Sequence, residues 1–246
     1  MSEPATLARP DGTSLAYHHR PGTGPTILFL PGYASDMTGG KATALDAWAG
    51  EQGRAMLRFD YAGCGASEGR FGEQTLASWR DDALLVIDQI TSGPLLLVGS
   101  SMGGWIMLLV ALARPDRIAG LIGIAAAPDF TDWGFDDGRR ETLAEQGYLA
   151  EPSPYGDEPT LTTLDFWRSG QANLLLGGAI AIDAPVTLIQ GMADEEVPAS
   201  IALRLTRALR SADVQTIFVK GGDHRLSRDQ DIRRLIGVVA QHLDGL

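Results

Sequence analysis

The chain predicts an α/β fold, with a mostly parallel central sheet and helices on both faces. Short strand-like, apolar-rich runs recur, at residues 26–30, 55–59, 95–98, 118–124, 186–189 and 214–219. Several stretches between them place apolar residues three or four apart, the spacing of one helix face. Apolar residues make up 44% of the 246 residues, enough for a core around such a sheet.

The elements follow in order. Residues 7–9 and 14–19 flank Pro10-Asp11-Gly12 and predict a hairpin turning at Asp11-Gly12. The run 26–30 is a buried strand, followed by a loop and a helix over about 41–52. The strand 55–59 ends at Asp60. Leu76, Trp79, Ala83, Val86 and Ile90 mark one face of the next helix. Strand 95–98 leads into a helix over 102–113, closed by Arg114-Pro115. After the strand 118–124 comes a long interruption, and then the strand 186–189. Pro198 starts a helix with Ile201, Leu205 and Ala208 on its apolar face. The strand 214–219 precedes a last helix over 228–243, with Ile232, Leu235, Val239 and Leu243 inward and His242 toward solvent.

The interruption is acidic and carries Trp133, Tyr148, Tyr155, Phe166 and Trp167. Aromatic residues in a long insertion need a surface to cover, so residues 127–184 are read as a lid above the sheet. The alternative is a surface excursion with no role in substrate choice. The expected organisation is a single domain over 1–246, with a core of about 1–126 and 185–246.

The formal net charge of −11 makes a polyanion such as nucleic acid a poor partner. No apolar run approaches the roughly 18 residues of a membrane span. Residues 1–10 lack a basic segment followed by an apolar core, and they are not rich in arginine. The one cysteine, Cys64, rules out an intrachain disulfide and fits a reducing compartment. Together these predict a cytoplasmic location. The sequence implies no metal and no organic cofactor.

The strongest chemical signal is Gly99-Ser100-Ser101-Met102-Gly103-Gly104, between a predicted strand and a predicted helix. A nucleophile on a sharp strand-to-helix turn needs small neighbours, because side chains there would collide. The glycine spacing puts Ser101 at the tip, ahead of Ser100. A helix starting at Met102 turns free amides toward the site, which favours a developing anion.

Serine is a weak nucleophile near neutral pH and needs a base. Of the four histidines, His18 and His19 lie in the hairpin and His242 in the last helix. His224 lies in a loop between a strand and a helix, at the carboxyl end of the sheet, where a site in an open α/β sheet belongs. The base in turn needs a carboxylate to hold its tautomer. Asp194, in the loop after strand 186–189, is the candidate; Glu195 is its main rival, with Glu196 and Asp223 behind. An oxyanion would need two donors: the amide of Met102 and, from Pro31-Gly32-Tyr33, the amide of Tyr33. That tripeptide can also be read as a tight turn only. The glycine-rich stretch at residues 60–67 fits neither a phosphate loop nor a dinucleotide fingerprint, so it is read as a structural turn with Cys64 packed.

Taken together, these residues resemble the α/β-hydrolase superfamily over nearly the whole chain. A narrower resemblance rests on Pro31-Gly32-Tyr33, Asp36-Met37-Thr38-Gly39 with Lys41-Ala42, and Arg58-Phe59-Asp60-Tyr61. Gly99-Ser100-Ser101-Met102-Gly103-Gly104-Trp105, Gly191-Met192-Ala193-Asp194 with Val197-Pro198, and Asp223-His224-Arg225 complete it. This set is similar to a subfamily of palmitoyl-protein thioesterases and acyl-glucuronide esterases. The resemblance implies the α/β-hydrolase fold, a catalytic Ser101, Asp194 and His224, and hydrolysis of acyl esters or thioesters, depalmitoylation included. The expected partner is a small or acylated substrate. Peptide, amide or carbon–carbon cleavage on the same fold is the alternative, and a binding protein on an inactive scaffold is a third reading. Asp132, Asp136, Asp137, Glu141 and Glu145, against Arg139 and Arg140, predict poor use of coenzyme A thioesters through like-charge repulsion.

Overall fold

The computed structural model describes residues 3–152 and 159–245. At one edge of the sheet, β1 (Ala5–Ala8) and β2 (Ser14–Arg20) form an antiparallel hairpin. β2 also pairs antiparallel with β4 (Arg54–Phe59). From β4 onward the ladder is parallel through β3 (Thr23–Leu30), β5 (Leu95–Ser100), β6 (Ile118–Ile124), β9 (Val186–Gly191) and β10 (Val214–Val219). The chain forms an α/β-hydrolase fold.

Parallel neighbours need crossovers, and helices supply them. They are α1 (Gly40–Glu51), α2 (Leu76–Ile90), α3 (Met102–Ala113) and α7 (Ala199–Ala208), and α8 (Asp229–Asp244) follows the last strand and packs on the sheet. Alternation along the strands sorts the core into two layers. Leu28, Leu30 and Leu97 meet Trp79 and Val86 of α2 and Trp105 and Leu109 of α3 on one face. Ile27, Phe29, Leu96 and Val98 meet Leu45 of α1 and Leu235 and Val239 of α8 on the other. Full burial of such a side chain contributes about 1.5–3 kcal/mol. α3 is buried from Met102 to Ala111, hence its nearly unbroken apolar sequence.

Two expectations for α8 need correction. Val238 is buried where Ile232 is only half-buried. His242 faces the sheet rather than solvent: its Nε2 lies 2.9 Å from Thr187 Oγ1 of β9, and burial lowers its pKa. Leu243 and Val239 pull that helix face inward and take the histidine with them.

Between β6 and β9 the chain leaves the sheet. This segment holds α4 (Phe130–Trp133), α5 (Asp137–Gln146), the antiparallel pair β7 (Tyr148–Glu151) and β8 (Thr160–Thr163), and α6 (Leu164–Gln171). The buried Asp129 carboxylate accepts the amides of Leu175 and Leu176 at 2.8 and 2.7 Å, joining the start of the segment to its return. Trp167 Nε1 donates to Thr131 O at 2.9 Å, and Ser169 Oγ accepts the Ala77 amide of α2 at 3.0 Å. The aromatic residues do not all cover something. Phe166 is buried against the core, Tyr148 is 48% exposed, and Tyr155 lies outside the described residues.

The loops at the carboxyl ends of β3 and β4 are held by one carboxylate. Asp60, 1% exposed, accepts the Met37 amide at 2.7 Å and the Ala66 amide at 2.8 Å. Its carbonyl oxygen accepts Ser67 Oγ at 2.6 Å, and Ser67 Oγ accepts the Ala16 amide. The glycine-rich stretch therefore wraps a buried acid and steadies the loop that carries Tyr33. Burial pushes the Cys64 thiol up to about 12, consistent with a packed residue. Asp60→Ala strands the buried Met37 amide and removes the acceptor of the Ala66 amide, and is expected to cost about 2–3 kcal/mol in urea denaturation. Asp60→Asn, which keeps an acceptor, is expected to cost less.

Candidate active site

β5 ends at Ser100 and α3 begins at Met102, so Ser101 is the whole turn. Its backbone sits at φ 54°, ψ −121°. A non-glycine residue is strained there, and strain of this kind gathers at functional sites. The turn closes only because its flanks are glycine. A Cβ on Gly103 would lie 2.1 Å from Leu30 O, and one on Gly99 would lie 2.4 Å from Gly103 O. The side chain of Ser101 is left at the carboxyl edge of the sheet.

His224 meets it there. Its Nε2 lies 3.1 Å from Ser101 Oγ, and its Nδ1 lies 2.9 Å from Asp194 Oδ2. Of the four carboxylates weighed from the sequence, Asp194 is the one at Nδ1. Asp223 turns back to accept the Leu226 amide at 2.9 Å. Glu196 approaches the other nitrogen, with Oε2 3.5 Å from Nε2, and is 65% exposed; Glu195 lines the cavity.

The Asp194 side chain is fully enclosed. Burial alone would raise its pKa, but the bonds from His224 and from the amides of Val197 and Glu196 outweigh it and hold the carboxyl below the usual range. Those amides reach Oδ1 at 2.8 and 2.9 Å. Gln190 Nε2 reaches Oδ2 at 3.1 Å, beside the histidine, and also donates to Val197 O at 3.0 Å and Gly191 O at 3.1 Å. Sequence reasoning passed over Gln190. The available signal was a polar residue in an inward run of a buried parallel strand, where an amide needs partners.

Ser101 and His224 open into a cavity of about 660 Å³. Tyr33, Phe130, Trp133 and Phe135 form its aromatic wall. Met102 and Tyr33, the two residues expected to hold an oxyanion, both line it. Met102 is the first residue of α3, whose opening amides have no partner within the helix. The Tyr33 ring packs in a cluster, 5.0 Å from Phe166 and 5.1 Å from Phe71 between centroids. Its hydroxyl donates to Leu161 O of β8 at 2.8 Å.

The charges on this cavity differ from those weighed in the sequence. Asp132, Asp136, Asp137, Glu141 and Glu145 do not line it. Asp136 caps α5 through the Arg139 amide, and Arg140 pairs with Asp132. Among the described residues, the ionic groups that do line it are Lys41, Arg139 and Arg225 with Glu151, Glu195 and Glu196. Arg139 pairs with Glu151 and lies over the Phe135 ring at 5.4 Å. The acidic residues of α4 and α5 are therefore not part of the cavity wall.

Residues 82–243 match the family model described as the prolyl oligopeptidase family, and residues 24–134 match serine aminopeptidase, S33. The chain is 38% identical over 244 residues to the mitochondrial palmitoyl-protein thioesterase ABHD10 of Homo sapiens, covering 98% of this chain and 80% of that protein. The mouse alpha/beta hydrolase domain-containing protein 10 superposes with a TM-score of 0.92 at 37% identity, with 99% of each chain covered. A putative hydrolase from Agrobacterium vitis S4 gives a TM-score of 0.91 at 40% identity, covering 98% of this chain and 97% of that one. Its sheet, its strand–turn–helix at Ser101 and its identity to these proteins across nearly its whole length agree, and the chain belongs to the α/β-hydrolase family, in the group of the palmitoyl-protein thioesterase ABHD10.

Proposed function

We propose that this hydrolase cleaves acyl esters and thioesters through an acyl-enzyme on Ser101. The hydrogen-bonded line from Ser101 Oγ through His224 to Asp194 carries the reading. Ser101 Oγ attacks the substrate carbonyl while His224 Nε2 takes its proton. Asp194 keeps the Nδ1 proton in place and stabilises the imidazolium. The Tyr33 and Met102 amides take the negative charge of the tetrahedral oxygen, helped by the start of α3. Collapse expels the alcohol or thiol, which receives the proton from Nε2. A water molecule, deprotonated by the same nitrogen, then attacks the acyl-enzyme, and the acid leaves.

The aromatic cavity wall suits an apolar acyl group. In this reading residues 127–184 serve as the lid over that group, because Phe130, Trp133 and Phe135 of the wall come from them. The ABHD10 proteins are named palmitoyl-protein thioesterases, and we infer the same class of acylated substrate here. The single cysteine, buried and hard to ionise, supports a reducing compartment such as the cytoplasm. Among the described residues no helix is long and apolar enough to cross a membrane.

Two outcomes test this. A fluorophosphonate probe is expected to label Ser101, and Ser101→Ala to lose the label and about 10⁴-fold or more in turnover of acyl esters. A labelled peptide elsewhere, or near-normal turnover in the variant, rejects the assignment. Gln190→Met removes a donor from Asp194 without touching the substrate. It is expected to lower kcat on the order of 10-fold with little change in KM, read from steady-state kinetics on a 4-nitrophenyl ester.

A further inference from the structure

The loop carrying His224 runs from the end of β10 to the start of α8. Its first half is tied to the neighbouring loop, where the Ala193 amide donates to Gly222 O at 2.9 Å. The half after His224 bonds mainly within itself and is anchored in the core by the buried Leu226. The Leu226 amide bonds Asp223, Ser227 Oγ bonds Arg225 O at 2.9 Å, and Arg228 Nη1 bonds Gly221 O at 2.7 Å. On one side it borders a second cavity, of about 190 Å³, lined by Arg225, Ser227, Ser35, Asp36, Gly40 and Lys41 among others. Close packing fixes side chains only where partner atoms are present, so packing does not hold the loop on that side.

One side chain spans this space. Lys41, in the first turn of α1, donates from Nζ to Arg225 O at 2.5 Å and lies 3.4 Å from Ser227 Oγ. Lys41 also lines the larger cavity that holds Ser101, so it stands in the wall between the two. The place does not favour an ammonium. The amino end of a helix carries the positive end of its dipole. Burial pushes Lys41 down to about 8, opposed by Asp223 and Asp231 and assisted by Arg225. A cation kept there against both effects, and bonded to the carbonyl next to His224, needs a reason beyond packing.

We propose that Lys41 is a positioning residue for His224: anchored on α1, it holds the Arg225 carbonyl and so keeps the imidazole within reach of Ser101 Oγ. This rests on the reading of Ser101, His224 and Asp194 as the catalytic residues. The charged groups facing Lys41 are Asp223 and Arg225 from the histidine loop, Asp231 from α8 and Asp36 from the loop before α1. Lys41 is charged below about pH 8 and neutral above it. A neutral amine makes a weaker bond to a carbonyl than an ammonium does. Turnover is therefore expected to fall several-fold as pH rises through that value, and Lys41→Arg, which stays charged, is expected to remove the fall.

The experiment compares wild type, Lys41→Met, Lys41→Gln and Lys41→Arg by kcat and KM on 4-nitrophenyl butyrate, thermal melting, and the rate of fluorophosphonate labelling of Ser101. Lys41→Met is expected to lose about 10- to 100-fold in kcat, the scale of a misplaced catalytic group, with KM nearly unchanged and labelling slowed in parallel. Lys41→Arg is expected to recover most of the loss. Folded Lys41→Met or Lys41→Gln with kcat within about twofold of wild type, while Ser101 labels normally, overturns the proposal and leaves the catalytic reading standing. Loss of the folded state in both variants, or equal loss of kcat in Met and Arg variants, makes Lys41 merely structural and also overturns it. Failure of wild type to label at Ser101 rejects the catalytic reading itself.

Discussion

The close approach of β5, α3 and the end of β3 is the constraint on which the site depends. Ser101 can sit between a strand and a helix only if the chain reverses within one residue. That reversal brings α3 so near β3 that a methyl group at Gly103 would collide with the Leu30 carbonyl. The strain at Ser101 is held by what surrounds it. α3 is buried on nearly every side, and the Ser101 amide donates to Ile124 O of β6 at 2.9 Å. Moving the serine would require moving a helix in the centre of the molecule. In the proposed mechanism a side chain placed in this way needs little reorganisation when it acts.

Around this fixed point the other groups arrive on loops, and buried polar ties add to packing in holding them. Asp60 binds the loop that carries Tyr33. Gln190 and two backbone amides bind Asp194, and Asp194 binds His224. Each carboxylate is enclosed and satisfied by several donors, which offsets the cost of burying it. The segment between β6 and β9 uses the same device, with Asp129 joining its two ends and the Tyr33 hydroxyl joining it to the core.

Tyr33 links two parts of this arrangement. Its backbone belongs to the loop beside Ser101, and its ring lies among Phe71, Trp79, Phe130 and Phe166. Burial raises the pKa of its phenol well beyond reach, so the hydroxyl stays a neutral donor to β8. The wall that would receive an acyl group and the loop beside the reacting carbonyl therefore share one side chain. Among the described residues, the ionic groups on that wall include Lys41, Glu195, Glu196 and Arg225 from outside the insertion, which no charge count over the insertion alone could show.

The sequence by itself determined the alternation of strands and helices, the parallel sheet and the place of Ser101, because these rest on local patterns. An apolar run, a helical spacing and glycines around a serine act over a few residues. It also narrowed the proposed base to His224 by its place after a strand. Only the tertiary structure decided which acid meets that base. Asp194, Glu195 and Glu196 are neighbours on one loop, and the backbone path alone turns one of them toward Nδ1. The same holds for His242, drawn against Thr187 by the apolar face of its helix, and for Gln190 and Lys41. Their partners lie on other elements, Lys41 acting across 184 residues, and local composition carries no record of such contacts. Hydrogen bonds and charge pairs between distant segments exist only once the sheet has brought those segments together, so their geometry belongs to the fold.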